Sequence, residues 1–157
     1  MNRKALWILS CVCLAASLFG TGCGPGFKLK TPDGFVELED QEEYAFRATT
    51  AQGVVMSVRV EPNRPKGNLS FWTDAIDLKL RNVGYAAAEA RDVKTKSGAV
   101  GKQLRYTRTI YDRPHIFWLT VFVTDADVFV LETGGDAREF DKAKDEVTKA
   151  IEGFVPG

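Results

Sequence analysis

The sequence predicts an α+β domain, an antiparallel sheet with helices on both faces, and three observations lead there. Residues 102–133 read KQLRYTRTIYDRPHIFWLTVFVTDADVFVLET, three runs rich in β-branched and aromatic residues. The runs are broken at Asp112-Arg113-Pro114 and at Asp125-Ala126-Asp127, which carry turn chemistry, so a three-stranded antiparallel meander is expected. The middle run, residues 115–124, is apolar at both parities: Ile116, Trp118 and Phe122 on one face, Phe117, Leu119, Val121 and Val123 on the other. A strand wet on one side would alternate, so this one is predicted to be central and covered twice. Two segments of helical periodicity, one before the meander and one after it, supply the covers.

Taken in order, residues 27–29 open a first strand, Pro32-Asp33-Gly34 turns, and residues 35–38 continue with alternation. Asp40-Gln41-Glu42-Glu43 reads as a solvated bend. Residues 44–50 and 53–61 form a hairpin, with Val54, Met56, Val58 and Val60 on one face. After a turn-rich link at 62–68, Leu69, Trp72, Ile76, Leu80 and Val83 recur at three- and four-residue spacing and make a helical stripe. Asn68 caps its start and Gly84 closes its end. Residues 85–96 return to an extended reading, although Ala86-Ala87-Ala88 suits a longer helix equally well. A turn at Lys96-Ser97-Gly98 leads into residues 100–111 and the meander, whose last strand is expected to end at Gly134-Gly135. Asp136 followed by Glu139 resembles a capping box, and Phe140, Ala143, Val147 and Ile151 form the buried stripe of the second helix. Gly153 and Pro156 stop it.

Composition narrows the class. Hydrophobic residues make up 45% of the chain, with 10 Phe, 4 Tyr and 3 Trp, enough to build a core. Basic and acidic side chains balance at 21 each. Without residues 1–22, which hold Arg3 and Lys4, 19 basic side chains stand against the 21 acidic ones, a net charge of −2. That balance gives no footprint for nucleic acid. All three cysteines (Cys11, Cys13, Cys23) fall in the first 23 residues, so no disulfide and no Cys/His metal set is expected in the domain at 23–157.

Arg3 and Lys4 precede an apolar run over residues 5–19 and then small residues up to Cys23, the pattern of a secretory leader at 1–22. Thr21-Gly22-Cys23 resembles the lipobox of bacterial lipoproteins, in which the leader is cut before a cysteine whose thiol carries diacylglycerol. Gly20 stands where that pattern has Leu. Plain secretion and an uncleaved anchor are the other readings, but no A-x-A site supports the first and a run of about fifteen residues is short for the second. Lipidation at Cys23 is therefore expected, with a soluble domain held at a membrane of the bacterial cell envelope.

With these elements in place the chain resembles the PsbP-like α/β/α sandwich superfamily. The resemblance is carried by Pro32-Asp33-Gly34-Phe35, the Trp72 helix, Gly101-Lys102-Gln103-Leu104-Arg105-Tyr106, the Trp118 strand, the helix entry from Gly134 to Phe140, and Ile151-Glu152-Gly153-Phe154. It spans nearly everything after Cys23 and implies a non-catalytic adaptor or assembly factor that binds another protein.

No motif for chemistry competes with that expectation. His115 is the only histidine and has no cysteine or second histidine to complete a metal site. Asp125 and Asp127 read as turn-formers, because a calcium loop needs more oxygen ligands. No serine lies in a G-x-S-x-G elbow. Gly134-Gly135 could cradle an anion, but Asp136 opposes one. If Leu104, Tyr106 and Ile110 face the core, Arg108 shares their register, and it either pairs with an acid such as Glu132 or snorkels outward. Arg64 and Lys66 in the link, and Tyr111 and Arg113 at the meander turn, are the candidate partner-binding residues. No catalytic residue, metal ligand or cofactor is expected. A small-ligand carrier with a pocket between sheet and helix, or an envelope enzyme with a carboxylate pair assembled in space, are the alternatives. The leader generates a direct prediction: Cys23→Ser releases the protein into the soluble fraction or blocks its processing. Metabolic lipid label incorporated equally by wild type and mutant would refute lipidation there.

Overall fold

The computed structural model describes residues 26–39 and 43–157, so the leader, Cys23 and Glu42 lie outside the described residues. Eleven elements follow in order: β1 (Phe27–Lys28), β2 (Val36–Glu37), β3 (Phe46–Thr49), β4 (Val55–Pro62), α1 (Leu69–Asn82), β5 (Ala86–Lys94), β6 (Val100–Ile110), β7 (Arg113–Val123), β8 (Asp127–Asp136), α2 (Ala137–Gly153) and β9 (Val155–Pro156). Seven strands form one sheet in the order β2-β3-β4-β8-β7-β6-β5. Every pairing in it is antiparallel.

β7 is an interior strand, as expected. It lies between β8 and β6, and its two parities join different clusters. Trp118 and Phe122 pack with Phe140, Val147, Ile151 and Phe154 of the C-terminal segment, while Leu119 and Val121 pack with Leu69, Trp72, Ile76 and Leu80 of α1. α2 buries Phe140, Val147, Ala150 and Ile151 along one stripe. Asp136 caps it by accepting from the Arg138 N–H at 3.0 Å. Glu139 pairs with Lys142 at 2.8 Å, so the cap uses the Asp136 half of the expected box. At α1, Asn68 accepts from the Phe71 N–H at 2.9 Å, and Gly84 follows the helix at φ +92°. That left-handed glycine ends the helix and sends Ala86-Ala87-Ala88 into β5, which resolves their ambiguity as strand. Val83, expected as the last residue of the buried stripe, instead falls past the helix end and is exposed.

Three further expectations are corrected. The meander turn is tighter than predicted: Tyr111-Asp112 forms the tip, while Arg113 and Pro114 belong to β7. Pro114 precedes the first β7–β8 pair at His115, so it occupies a strand-edge position where a missing N–H is tolerated. β8 does not stop at Gly134-Gly135 but runs through both to Asp136. A Cβ on Gly134 would come within 2.9 Å of the Ile116 carbonyl oxygen, so this glycine permits close strand packing rather than ending the strand. Finally, β1 does not join the Phe35 segment in the main sheet; it pairs with β9. The reason is aromatic: the Phe27 ring packs on Phe154 at 5.5 Å and edge-on to Phe129 at 6.3 Å.

Trp118 anchors this core, meeting Phe140 edge-to-face at 4.9 Å with the Arg105 guanidinium 4.0 Å above its ring. Trp118→Ala is expected to cost about 3–5 kcal/mol in urea unfolding, as large aromatic truncations in a core do. A loss under about 1 kcal/mol would contradict the packing described.

Candidate functional site

The sheet is wider than α1, and the site follows from that mismatch. α1 packs on β6 and β7, with Leu69, Trp72, Ile76 and Leu80 only half-buried and Thr73 its one buried residue. A side-chain bond ties the helix to β6: the buried Tyr106 hydroxyl donates to Asp77 Oδ1 at 2.8 Å, and Arg81 holds Asp77 at 2.6 Å. Beside it, β4 and β8 open onto a groove with two hollows. One, of about 250 Å³, is mainly apolar and lined by Trp72, Ile76, Leu80, Leu119, Val128 and Val130. The other, of about 230 Å³ and termed the polar hollow for the charged side chains at it, sets Tyr44, Arg47, Tyr85, Arg108 and His115 beside apolar Val55, Ile116 and Phe117. Glu132 lines both.

Glu132 is not Arg108's partner, as the register argument suggested. It pairs with Arg59 at 2.5 Å from the adjacent strand, where Ser57↔Glu132 and Arg59↔Val130 are the neighbouring registers. Burial works to lower the Arg59 pKa, but the hydrogen bond and Coulomb attraction of Glu132 outweigh it and leave the guanidinium above its ordinary value. Arg59 and Arg47 lie 5.2 and 5.0 Å from the Tyr44 ring centroid, and Arg108 lies 5.1 Å from that of Tyr85. Arg108 is exposed and Ile110 is 36% exposed, since the β6–β7 hairpin extends beyond the covered part of the sheet. The snorkelling reading of Arg108 holds.

His115 stands in the polar hollow with Nδ1 3.1 Å from the Arg113 carbonyl oxygen. Ser57 and Glu132 line the same hollow, yet the registers set Ser57 two strands and about four residues of strand length from His115, roughly 16 Å. No nucleophile–base contact exists at that separation. Among the described residues no group of three His, Cys, Asp or Glu side chains can hold a metal.

The four candidate contact residues are divided between opposite ends of the sheet. Tyr111 and Arg113 lie at the β6–β7 tip, where Tyr111 is 95% exposed. Tyr111 (φ 48°) and Asp112 (φ 59°) both adopt the left-handed conformation, as a two-residue primed turn requires. Arg64 and Lys66 sit beside the β7–β8 turn. Asn63 holds their link in place: its amide donates to Thr124 O at 2.9 Å and Gly67 O at 3.2 Å, while its oxygen accepts from Gly67 N at 2.9 Å and Trp72 Nε1 at 2.8 Å. Asn63, Tyr44, Tyr85 and the Arg59–Glu132 pair escaped the sequence reading. Only strand register, which brings positions 59 and 132 together, could have revealed the pair.

On the other face Gln103 is fully buried and satisfied. It donates to Thr120 at 3.1 Å and accepts from Arg91 at 3.0 Å and Arg105 at 2.9 Å, while Arg105 also holds Glu89 at 2.7 Å. Burial first, then Arg105, lowers the Arg91 pKa.

The fold is shared with solved structures at low identity. LpqN, described as involved in cell envelope biogenesis of Mycobacterium tuberculosis, superposes with a TM-score of 0.67 at 12% identity, covering 82% of each chain. Cyanobacterial PsbP (CyanoP) from Synechocystis sp. PCC 6803 gives 0.62 at 13% identity over 84% of this chain and 87% of that one. A putative regulator from Pseudomonas aeruginosa gives 0.55 at 11% identity over 82% and 85%. These likenesses establish a PsbP-like α+β fold, a mostly antiparallel sheet with two helices. No protein-family model matches the chain, and neither does any curated protein sequence. No helix among the described residues is long and apolar enough to cross a membrane.

The Tyr106–Asp77 bond makes a pH prediction. Burial foremost, then the Asp77 carboxylate, raises the phenol's pKa. A raised pKa stabilises the fold at all pH below the ordinary phenol value of about 10, and that contribution is lost as pH climbs toward the raised one. Tyr106→Phe should cost about 1.5–3 kcal/mol at neutral pH, the range for a hydrogen bond to a charged group. In denaturant titrations wild type should lose stability faster than the mutant above about pH 10; parallel profiles would refute the assignment.

Proposed function

We propose that the chain is a non-catalytic protein-binding or assembly module of the bacterial cell envelope, lipid-anchored at Cys23, with an α/β/α sandwich as its domain. The layered reading is supported by the two parities of β7, which pack with different helices. The envelope reading is supported by the leader pattern and by the description of LpqN, a protein of the same fold.

One observation carries the binding reading, the tip at Tyr111. A tyrosine in the left-handed region costs about 1–2 kcal/mol that glycine would not. Here it stands almost fully in solvent, where no packing within the domain recompenses it. Strain kept at an exposed aromatic beside Arg113 fits a contact residue, since tyrosine and arginine dominate interface hot spots. The polar hollow with Arg108 and His115 continues the surface inward.

The small-ligand carrier has one observation in its favour, the apolar hollow beside α1. At about 250 Å³ it falls below the range of roughly 300–1,000 Å³ usual for ligand pockets, so it ranks second. An enzyme with a carboxylate pair finds less support: Glu61 and Glu132 both line the hollow beside α1, but the β4–β8 register sets them about four residues of strand length apart, roughly 14 Å, and Arg59 neutralises Glu132.

The tip yields opposite expectations for stability and binding. Tyr111→Gly relieves the turn and should stabilise the domain by up to about 1 kcal/mol. The same change, and Arg113→Ala, should weaken capture of the partner from solubilised envelopes by roughly tenfold or more, as loss of a hot spot does. Full capture by both variants would rule out this surface.

A further inference from the structure

We infer that the end of the sheet opposite the Tyr111 tip is a lipid-facing surface, so that the anchored protein stands with its β6–β7 hairpin pointing away from the bilayer. The inference rests on the proposed anchorage at Cys23 and deepens it by assigning an orientation. The chain enters the domain at a fixed place. Gly26 O accepts from Gly157 N at 2.6 Å, Phe27 pairs with Pro156, and the Phe27 ring is locked against Phe154 and Phe129. Phe129 and its partner Phe122 lie close to the β7–β8 turn. From Phe122, nine residues of β7 lead to Arg113, a distance of about 30 Å.

The tether is much shorter than that. Only Gly24 and Pro25 separate Cys23 from Gly26, and the four residue steps from Cys23 to Phe27 span at most about 14 Å. An acylated Cys23 therefore keeps the entry end at the headgroups, and the hairpin tip extends beyond its reach. Three loops share the entry end. The Lys96 N–H donates to Glu152 O at 2.7 Å, tying the β5–β6 turn to the end of α2 next to β9. The Asn63 N–H donates to Ala126 O at 2.8 Å, tying the Arg64–Lys66 link to the β7–β8 turn.

The chemistry of these loops fits a headgroup layer. Val100, 60% exposed, pairs with Lys94 near Lys96, an apolar side chain beside lysines that can lay their stems along it and reach phosphates. Arg64, Lys94 and Lys96 are exposed and make no ion pair among the described residues. Glu61, Asp125, Asp127 and Glu152 share this end, so it is no polybasic patch. The acyl chains supply the affinity, and the tether with the free cations decides which end meets the lipid.

The test uses the full lipidated chain in vesicles of phosphatidylethanolamine and phosphatidylglycerol doped with a nickel-chelating lipid. A nitroxide is attached at Ser97→Cys on the entry end or at Thr109→Cys near the hairpin tip, both exposed positions. Nickel should relax the label at 97 and leave the label at 109 as it is in nickel-free vesicles. Equal relaxation at both sites, or stronger relaxation at 109, on protein that floats with the vesicles overturns the orientation alone. Protein that does not float with the vesicles overturns the anchorage reading, and the orientation with it.

Discussion

A strand apolar at both parities cannot be satisfied by one layer of cover, and β7 imposes that demand on this domain. Trp118 and Phe122 need one partner surface, Leu119 and Val121 another. Each large side chain buried contributes about 1.5–3 kcal/mol, so leaving either face wet would remove much of a small domain's margin. The two clusters draw on different helices, which are buried to different degrees. α2 and the rings of Phe122, Phe129 and Phe154 make a closed aromatic core. α1 covers its side through half-buried residues, and the uncovered strip over β4 and β8 becomes the groove. The site is thus a by-product of covering a wide sheet with one short helix.

Polar groups inside the fold follow the complementary constraint. Gln103, Asn63 and Glu132 each meet partners on neighbouring strands or loops, as burial without hydrogen bonds would cost more than the bonds return. They also do structural work. Asn63 joins the link, the β7–β8 turn and Trp72, while Gln103 ties β7 to β6 and, through Arg91, to the edge strand β5. Glu132, held by Arg59, lines both hollows of the groove.

The two ends of the sheet differ in chemistry. One gathers the chain entry, the end of α2 and three loops with exposed cations. The other carries a strained aromatic tip and the polar hollow. β7 and β8 separate them by their length.

Much of the fold was legible because local chemistry wrote it into adjacent residues. The meander, both helices, the Asn68 and Asp136 caps and the Gly84 stop are short-range features, readable from period and punctuation. The sequence by itself also determined that β7 is interior, since its two apolar parities admit no wet face. What only the tertiary structure decided are the long-range choices. Phe27 pairs beside β9 because three phenylalanine rings meet there, and Gly134-Gly135 continues a strand because Ile116 lies too close for a side chain. Glu132 chooses Arg59 over Arg108 because antiparallel register aligns β4 with β8 and leaves Arg108 in the hairpin's exposed arm. The separation of Arg64 and Lys66 from Tyr111 and Arg113 belongs here too, for sequence distance carries no information about which end of a sheet a turn occupies.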